Sequence, residues 1–374
     1  MRAKKITFYL LAFCMAVVSA GCWDSLDIND KALITLVITD RQNDEFIFYV
    51  EVPNLSAGQS EEGGREQYEI VTGSGTSYAE ARRHLNAKMD KPIFLGTVRA
   101  LVLTDELTKH GVEEYFFRMQ NMLDYRKTLN VVTTSERPED FLLSSPENNI
   151  SIGYSIEETV SSLKSNGKVV IYTVSDVLEF LYADYYFVLL NMDLREGTLA
   201  YTGYSIIHNG KYNGFIPLEE SNGLVWLLGD NIEQMYVVVP MEDIVVTIEV
   251  TIKKREIRPV YTDGQIMFDI RFVFDSKVQY INRNVKIDEK IQEQVKSQLQ
   301  TMLVEDIAAA INHSRSLHCD YLQFKEHFRL AYPNVVKKLD WDAEYMNATF
   351  NISVQTTLDP GGTLDLEAQG ESMP

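Results

Sequence analysis

The chemistry most clearly written into this chain is that of a single thiol. Ser19-Ala20-Gly21 places three small side chains directly before Cys22, as a lipoprotein signal requires: the peptidase must close on that backbone, and the cysteine carries a diacylglyceryl group. Upstream lie the basic residues Arg2, Lys4 and Lys5, then Ile6 to Val18, an apolar run of 13 residues broken by Thr7. A membrane span needs about 20 residues, so this order of charge, apolar run and small residues reads as a cleaved signal and not as a span. Residues 1–21 are expected to be a lipoprotein signal peptide, and Cys22 the lipid attachment site. Ser19 departs from the pattern, because lipoprotein signals usually place Leu there. The competing reading is an ordinary cleaved signal followed by a chance cysteine. Two acyl chains, each stabilised by about 0.8 kcal/mol per buried methylene, would hold the mature protein on a bilayer.

Other reactive combinations are weaker. His318, Cys319 and Asp320 are metal ligands by type, but three consecutive side chains cannot all turn toward one ion; His327 is the nearest residue that could share a helix face with Asp320. Ser77, Ser155 and Ser205 lack the second glycine of a nucleophile elbow, and Gly63-Gly64 and Gly73-Ser74-Gly75 have no P-loop lysine behind them. The 54 carboxylates are explained by solvated acidic faces. Lys253-Lys254-Arg255 at a strand end reads as a charged edge that discourages aggregation. The sequence thus gives no reason to expect a catalytic, cofactor or metal site, or any cofactor beyond the diacylglyceryl and N-acyl lipid on Cys22.

The formal charge is −19, and loss of Arg2, Lys4 and Lys5 with the signal makes it more negative by three. Such a surface is repelled by phosphate backbones and anionic headgroups, which argues against nucleic acid and leaves anchoring to the lipid. Of the 3 cysteines, Cys14 leaves with the signal and Cys22 is acylated, so Cys319 has no partner for an intramolecular disulfide. A chain of this length buries enough core without one.

The elements that must hold any site are of mixed type. Ala32 to Thr39 and Phe46 to Val52 read as strands around a turn at Arg41 to Asp44, and Asn54 to Arg65 as a turn-rich loop. Ser77 and Glu80 form a capping-box pattern ahead of Tyr78, Ala81, Leu85 and Met89 at helical spacing. Thr97 to Leu103 and Thr128 to Thr134 read as strands, with Glu106 to Met122 helical around Gly111; Glu157 to Leu163 and Asp176 to Tyr182 follow as helices. The polar stretch Met192 to Thr198 suggests a domain boundary. Asn209-Gly210 is a hairpin signal, and Glu219 to Leu228 a helix. Gln234 to Val239, Ile244 to Lys253 and Gln265 to Phe274 alternate as antiparallel strands. From Val285 to Ser314, Ile287, Ile291, Val295, Leu299, Leu303, Ile307 and Ile311 fall on one stripe, predicting a long amphipathic helix. A helix from Asp320 to Leu330 is expected to stop at Pro333, and Met346 to Thr357 to close the fold as a strand.

In their order, Gly21-Cys22-Trp23-Asp24 with Asp27-Ile28 and a strand ending in Asp40, then Gly75-Thr76-Ser77 with Glu80-Ala81-Arg82-Arg83, then Phe117-Arg118, resemble the Ger(x)C family. The likeness continues through Gly203, Asn209-Gly210-Lys211, Gly223 to Gly229, and the run Asp320, Phe324, Phe328, Pro333 and Trp341. Two departures stand out: Asp27 where the family usually has Glu, and missing glycines near Phe324. The resemblance implies a three-domain α+β protein with mixed sheets and helices, antiparallel sheets and one long amphipathic helix in its C-terminal domain. The divisions expected are an N-terminal α+β domain at 22–197, a middle domain with hairpin and helix at 198–258, a C-terminal α+β domain at 259–358, and a flexible tail at 359–374. It further implies a non-catalytic C subunit of a GerA-type nutrient germinant receptor, lipid-anchored on the outer face of the spore inner membrane, with an A subunit and a permease-like B subunit as partners. Trp23 and Asp24 are placed to meet headgroups or a membrane partner. The outer face of the long helix and the segment Gly223 to Gly229 are candidate docking surfaces, the apolar residues of the latter reading equally well as domain core. Against this stand a solute-binding lipoprotein of a transporter, which should show two repeated lobes, and a lipoprotein hydrolase.

Overall fold

A computed structural model describes residues 28–53, 68–122, 125–143, 151–167, 169–229, 235–241, 244–283 and 288–360. The signal segment, Cys22, Trp23, Asp24 and the turn-rich stretch 54–65 lie outside the described residues. In chain order come β1 (Ala32–Leu33), β2 (Leu36–Gln42), β3 (Glu45–Pro53), β4 (Tyr68–Gly75), α1 (Tyr78–Asn86), β5 (Ile93–Phe94) and β6 (Ala100–Thr104). Next are α2 (Asp105–His110), α3 (Glu113–Gln120), β7 (Asn130–Thr134), α4 (Pro138–Leu143), α5 (Ile152–Ser165), α6 (Val174–Ala183) and β8 (Phe187–Arg195). The hairpin β9 (Thr198–His208) and β10 (Lys211–Pro217) completes an eight-stranded sheet in the order β10-β9-β8-β7-β6-β2-β3-β4.

The middle of this sheet is parallel: β2 runs with β6, β6 with β7, and β7 with β8. Parallel strands are covered on both faces, and their side chains divide accordingly. Leu36, Ile38, Ala100 and Val102 enter one core with Ile152 and Ile156 of α5. Val37, Leu101 and Leu103 enter the other with Ala81 and Leu85 of α1 and Tyr115 and Phe116 of α3. The buried carboxylate of Glu51 ties α5 to the sheet, accepting hydrogen bonds from Thr35 Oγ1 at 2.5 Å, Ile152 N at 2.7 Å and Ser151 Oγ. An anion at a helix N-terminus answers both its unpaired N–H groups and its dipole.

The second layer begins with α7 (Asn222–Leu228), then β11 (Met235–Pro240), β12 (Val245–Thr262) and β13 (Gln265–Ile281). It continues with α8 (Glu289–Ser316), α9 (Phe324–Ala331), α10 (Pro333–Val336), α11 (Trp341–Asn347) and β14 (Thr349–Thr356). The four strands form one sheet in the order β11-β12-β13-β14, antiparallel except that β14 joins parallel to β13. The stripe Val295, Leu299, Leu303 and Ile307 of α8 shares a core with Val246, Ile248 and Val250 of β12 and Phe268, Phe272 and Phe274 of β13. The class is α+β, as expected, with the long amphipathic helix in the C-terminal part.

Several local expectations change. Ser77 caps α1 by accepting from Glu80 N at 3.3 Å, but the Glu80 carboxylate turns to Thr76, so the reciprocal half of the capping box is not made. A complete box stands at Thr173 and Asp176 of α6. α9 stops at Ala331, with Tyr332 before the proline at φ −131° and ψ 59°, as expected; Pro333 then also opens α10 from an N-terminal position, where its missing N–H costs no hydrogen bond. The segment expected as a flexible tail begins in the sheet, because Asp359 N donates to Ser276 O at 2.8 Å and Val278 N to Asp359 O at 2.9 Å, on the part of β13 beyond the end of β14; residues 361–374 lie outside the described residues. The division expected at 197/198 falls on the turn between the paired strands β8 and β9, and that at 258/259 falls inside β12. Sheet hydrogen bonding crosses both positions.

Candidate interaction site at the junction of the two sheets

A cleft of about 410 Å³ opens where the two layers meet, between the loop after α6, the β9–β10 turn and the segments flanking α9 and α11. Each wall has a local cause. Asp184 ends α6 in the left-handed conformation with φ 53°, which turns Tyr185 and Tyr186 toward the second layer. Asn209 and Gly210, with φ 47° and 67°, make the tight hairpin turn that presents His208.

Asp320 is the buried anchor of the opposite wall. Its carboxylate accepts from Phe324 N at 2.9 Å, Lys325 N at 2.7 Å and Trp341 Nε1 at 3.0 Å, fastening the start of α9 and the indole of α11 to one side chain. Burial nevertheless dominates these hydrogen bonds and pushes the Asp320 carboxyl up to about 7. The two walls are linked by polar contacts: Tyr185 Oη donates to Glu326 Oε2 at 2.5 Å and accepts from Arg329 Nε at 3.0 Å, and Gln323 Nε2 donates to Tyr172 Oη at 3.2 Å. Burial raises the Tyr185 phenol to about 12. His208 stacks on Tyr186 with ring centroids 3.6 Å apart and lies 3.6 Å from Asp184, yet desolvation holds its pKa below the ordinary value.

The residues singled out from sequence separate. His318 adopts φ 53° and gives its backbone carbonyl to Tyr186 Oη at 3.4 Å, Cys319 is a buried free thiol raised to about 12 by desolvation, and Asp320 is committed to its three donors. His327 is largely buried and its pKa is lowered. Among the described residues no cluster of three or more His, Cys, Asp or Glu is arranged to hold a metal. The docking candidate Gly223 to Gly229 is interior: Gly223, Leu224, Val225, Trp226 and Leu227 are buried, and a Cβ on Gly223 would stand 2.0 Å from Asp306 O of α8. Trp226 Nε1 donates to Asp306 Oδ2 at 3.4 Å. The outward residues of α8 mix charged side chains such as Glu289, Lys290 and Glu305 with uncharged polar ones such as Gln294, Gln298 and Asn312, and Lys296 is paired to Glu293. The loop Asp184–Tyr186 carried no sequence signal beyond adjacent tyrosines; Trp341, among the residues of the resemblance, proves to be the partner of Asp320.

Residues 24–194 match the family described as spore germination protein N-terminal domain, and residues 202–362 the one described as spore germination B3/GerAC like, C-terminal. Spore germination protein KC of Bacillus subtilis (strain 168) is 20% identical over 377 residues, covering 92% of each chain, and spore germination protein B3 of that organism is 21% identical over 373 residues, covering 96% of each. Spore germination protein A3, from the same source, is 25% identical over 281 residues, 71% of this chain and 72% of that one. The crystal structure of the GerBC protein shares the fold, with a TM-score of 0.57 at 15% identity over 86% of this chain and 96% of that one. With both of its halves matched in order, the chain belongs to the Ger(x)C family of spore germination proteins.

Proposed function

We propose that the chain is the lipid-anchored C subunit of a nutrient germinant receptor, working without catalysis by docking to an A subunit and a permease-like B subunit. The observation that carries this reading is the pair of family matches spanning 24–194 and 202–362. The anchor is Cys22, bearing diacylglyceryl and N-acyl chains, and it places the folded part on the outer face of the spore inner membrane. Among the described residues no helix is long and apolar enough to cross a membrane, which is consistent with attachment through lipid. Fixed in the membrane plane, the subunit meets its partners at high effective concentration and binds them through modest surfaces. The outer face of α8 and the rim of the junction cleft are the surfaces offered.

The anchor is tested by radiolabelled palmitate: the native chain takes up label, while Cys22→Ala takes up none and leaves the membrane fraction. Labelling that persists in the substituted protein overturns the assignment of Cys22. The assembly is tested by pull-down from detergent-solubilised spore membranes, where a permease-like protein is expected to co-purify. Recovery of the chain alone under conditions that keep other receptor subunits together would count against the docking role.

A further inference from the structure

The junction cleft carries more negative than positive charge, and its carboxyl groups come from both walls. Asp184 stands on the first layer and Asp320, Asp340 and Asp342 on the second; the cationic types that line the cleft with them are Lys325 and His208. Two of the four acids are committed within the fold. Asp320 serves its three donors and, titrating at about 7, is partly protonated at neutral pH. Asp340 Oδ1 accepts from Ala343 N at 3.4 Å as the cap of α11. Asp184 Oδ1 lies 3.6 Å from His208 Nε2, but desolvation holds that imidazole below its ordinary value, so at neutral pH it supplies little counter-charge. Asp342, in the first turn of α11, is exposed and makes no ion pair among the described residues.

Asp184 and Asp342 act on the same spot from opposite walls. The stacked rings of Tyr186 and His208 feel both carboxylates; Asp320 and Cys319 also act on Tyr186, and Lys325 on His208. Lys325 shows which charge the place accommodates: its Nζ rests 5.5 Å from the centre of the Tyr185 ring and donates to Asp184 O at 3.4 Å, an ammonium shared between an aromatic face and an oxygen. One lysine set against Asp184 and Asp342 leaves negative charge in excess. A bare metal ion would need oxygens at about 2.0–2.6 Å, and among the described residues no cluster is arranged for that. An organic ammonium needs no such shell, because ring faces and carboxylates at a longer range suffice, and its carbon chain can lie against Val336 and Leu339 in the cleft of about 410 Å³. The field of a chain with 54 acids and 35 bases draws cations toward it. We propose that the junction cleft binds an organic ammonium group between Asp184 and Asp342, beside the rings of Tyr185 and Tyr186. The group is carried by a lysine side chain of a partner protein or by a free amine. This binding concerns the cleft alone and stands apart from the receptor reading, whose tests read acylation and co-purification.

Calorimetry on the full chain in detergent at neutral pH tests this, titrating N-acetyl-lysinamide and ethanolamine separately, with sodium chloride at matched ionic strength as the blank. Saturable heat is expected from at least one of them. Tighter binding of N-acetyl-lysinamide points to a protein side chain as the source, and tighter binding of ethanolamine to a free amine. N-acetyl-norleucinamide, which has the chain without the charge, should give no saturable heat. Asp184→Asn keeps a residue that tolerates the left-handed turn, and it and Asp342→Asn should each weaken binding about threefold, the pair together about tenfold, as loss of partly solvated ion pairs does. Glu305→Gln, an exposed acid on α8 outside the cleft, should leave the affinity unchanged. Should the double variant fail to fold, the two single substitutions decide. Absence of saturable heat from both amines overturns the proposal, as does equal binding of the uncharged analogue. An affinity that falls no further in the Asp184 and Asp342 variants than in Glu305→Gln overturns it too.

Discussion

Asp320 shows how one side chain can serve structure and still respond to pH. Two backbone N–H groups and an indole converge on it, yet removal from water outweighs them and the folded carboxyl titrates at about 7, against roughly 3.9 in an unfolded chain. Between those values the folded state holds a proton that the unfolded state has released. The stability this contributes is complete below about pH 4 and is lost as pH rises through about 7, with a slope of up to about 1.4 kcal/mol per pH unit. His208 and His327, whose pKa values are lowered by burial, act with the opposite sign as pH falls below about 6.5, so a difference between two proteins is the clean observable. Asp320→Asn is expected to lower stability at pH 4 by loss of an acceptor, and to unfold with a flatter pH dependence between about pH 4 and 7 than the native chain. Urea melts across that range measure it, and identical slopes for both proteins would show that Asp320 does not carry the proton. From sequence, this residue stood beside His318 and Cys319 as a ligand type; that its partners are helix N–H groups and Trp341 depends on a contact across 21 positions that no local pattern encodes.

Among the elements, α7 and α8 are fitted to one another so closely that a methyl group has no room. A Cβ at Gly223 would meet Asp306 O at 2.0 Å and the Ala310 side chain at 2.8 Å, and both are held by the interior of a long helix that cannot yield locally. Gly223→Ala is therefore expected to destabilise the protein by about 1–3 kcal/mol, the usual cost of overpacking, and a chemical melt showing native stability would mean that α7 shifts freely on α8. The stretch Gly-Leu-Val-Trp-Leu-Leu has no polar face, which is the mark of a helix buried all round; its burial could be read from sequence, and its partner could not. Strong periodicity was legible throughout: the stripe of α8, the alternation in β12 and β13, and the turns at Asn209-Gly210 and Asp263-Gly264, each with two positive φ values. β8 was not legible, because its continuous apolar run gives no alternation and its last residues, Asp193 to Arg195, look like a linker. Nor was the strand order of the first sheet, or the parallel docking of β14, since both are set by packing across distant segments.

At the scale of the whole molecule, the division of sequence likeness and the division of physical structure do not coincide. The two family matches meet between 194 and 202, where β8 and β9 pair from Phe187 opposite Ile207 to Arg195 opposite Thr198, with one shift of register after Asn191. A cut there would leave β8, a strand buried through most of its length, as a raw sheet edge, a form that invites association with other chains. The apolar interior is shared as well. Leu36, Val132 and Leu190 of the first sheet belong to the same core as Val225, Trp226, Phe274 and Leu303, so the second layer cannot leave without exposing the face of the first. Polar links across the junction, such as Tyr185 to Glu326, add little net energy by comparison, about 1 kcal/mol each, and they orient the walls of the cleft. The full chain is accordingly expected to unfold in one cooperative transition, with calorimetric and van't Hoff enthalpies in agreement, and the fluorescence of Trp226 and Trp341 in the second layer, read in a Trp23→Phe background, should follow the same curve as the far-ultraviolet signal of the whole. A fragment ending at residue 197 should aggregate. Two resolved transitions, or a soluble and cooperatively folding 22–197 fragment, would show that the shared core contributes less than the contacts within each layer.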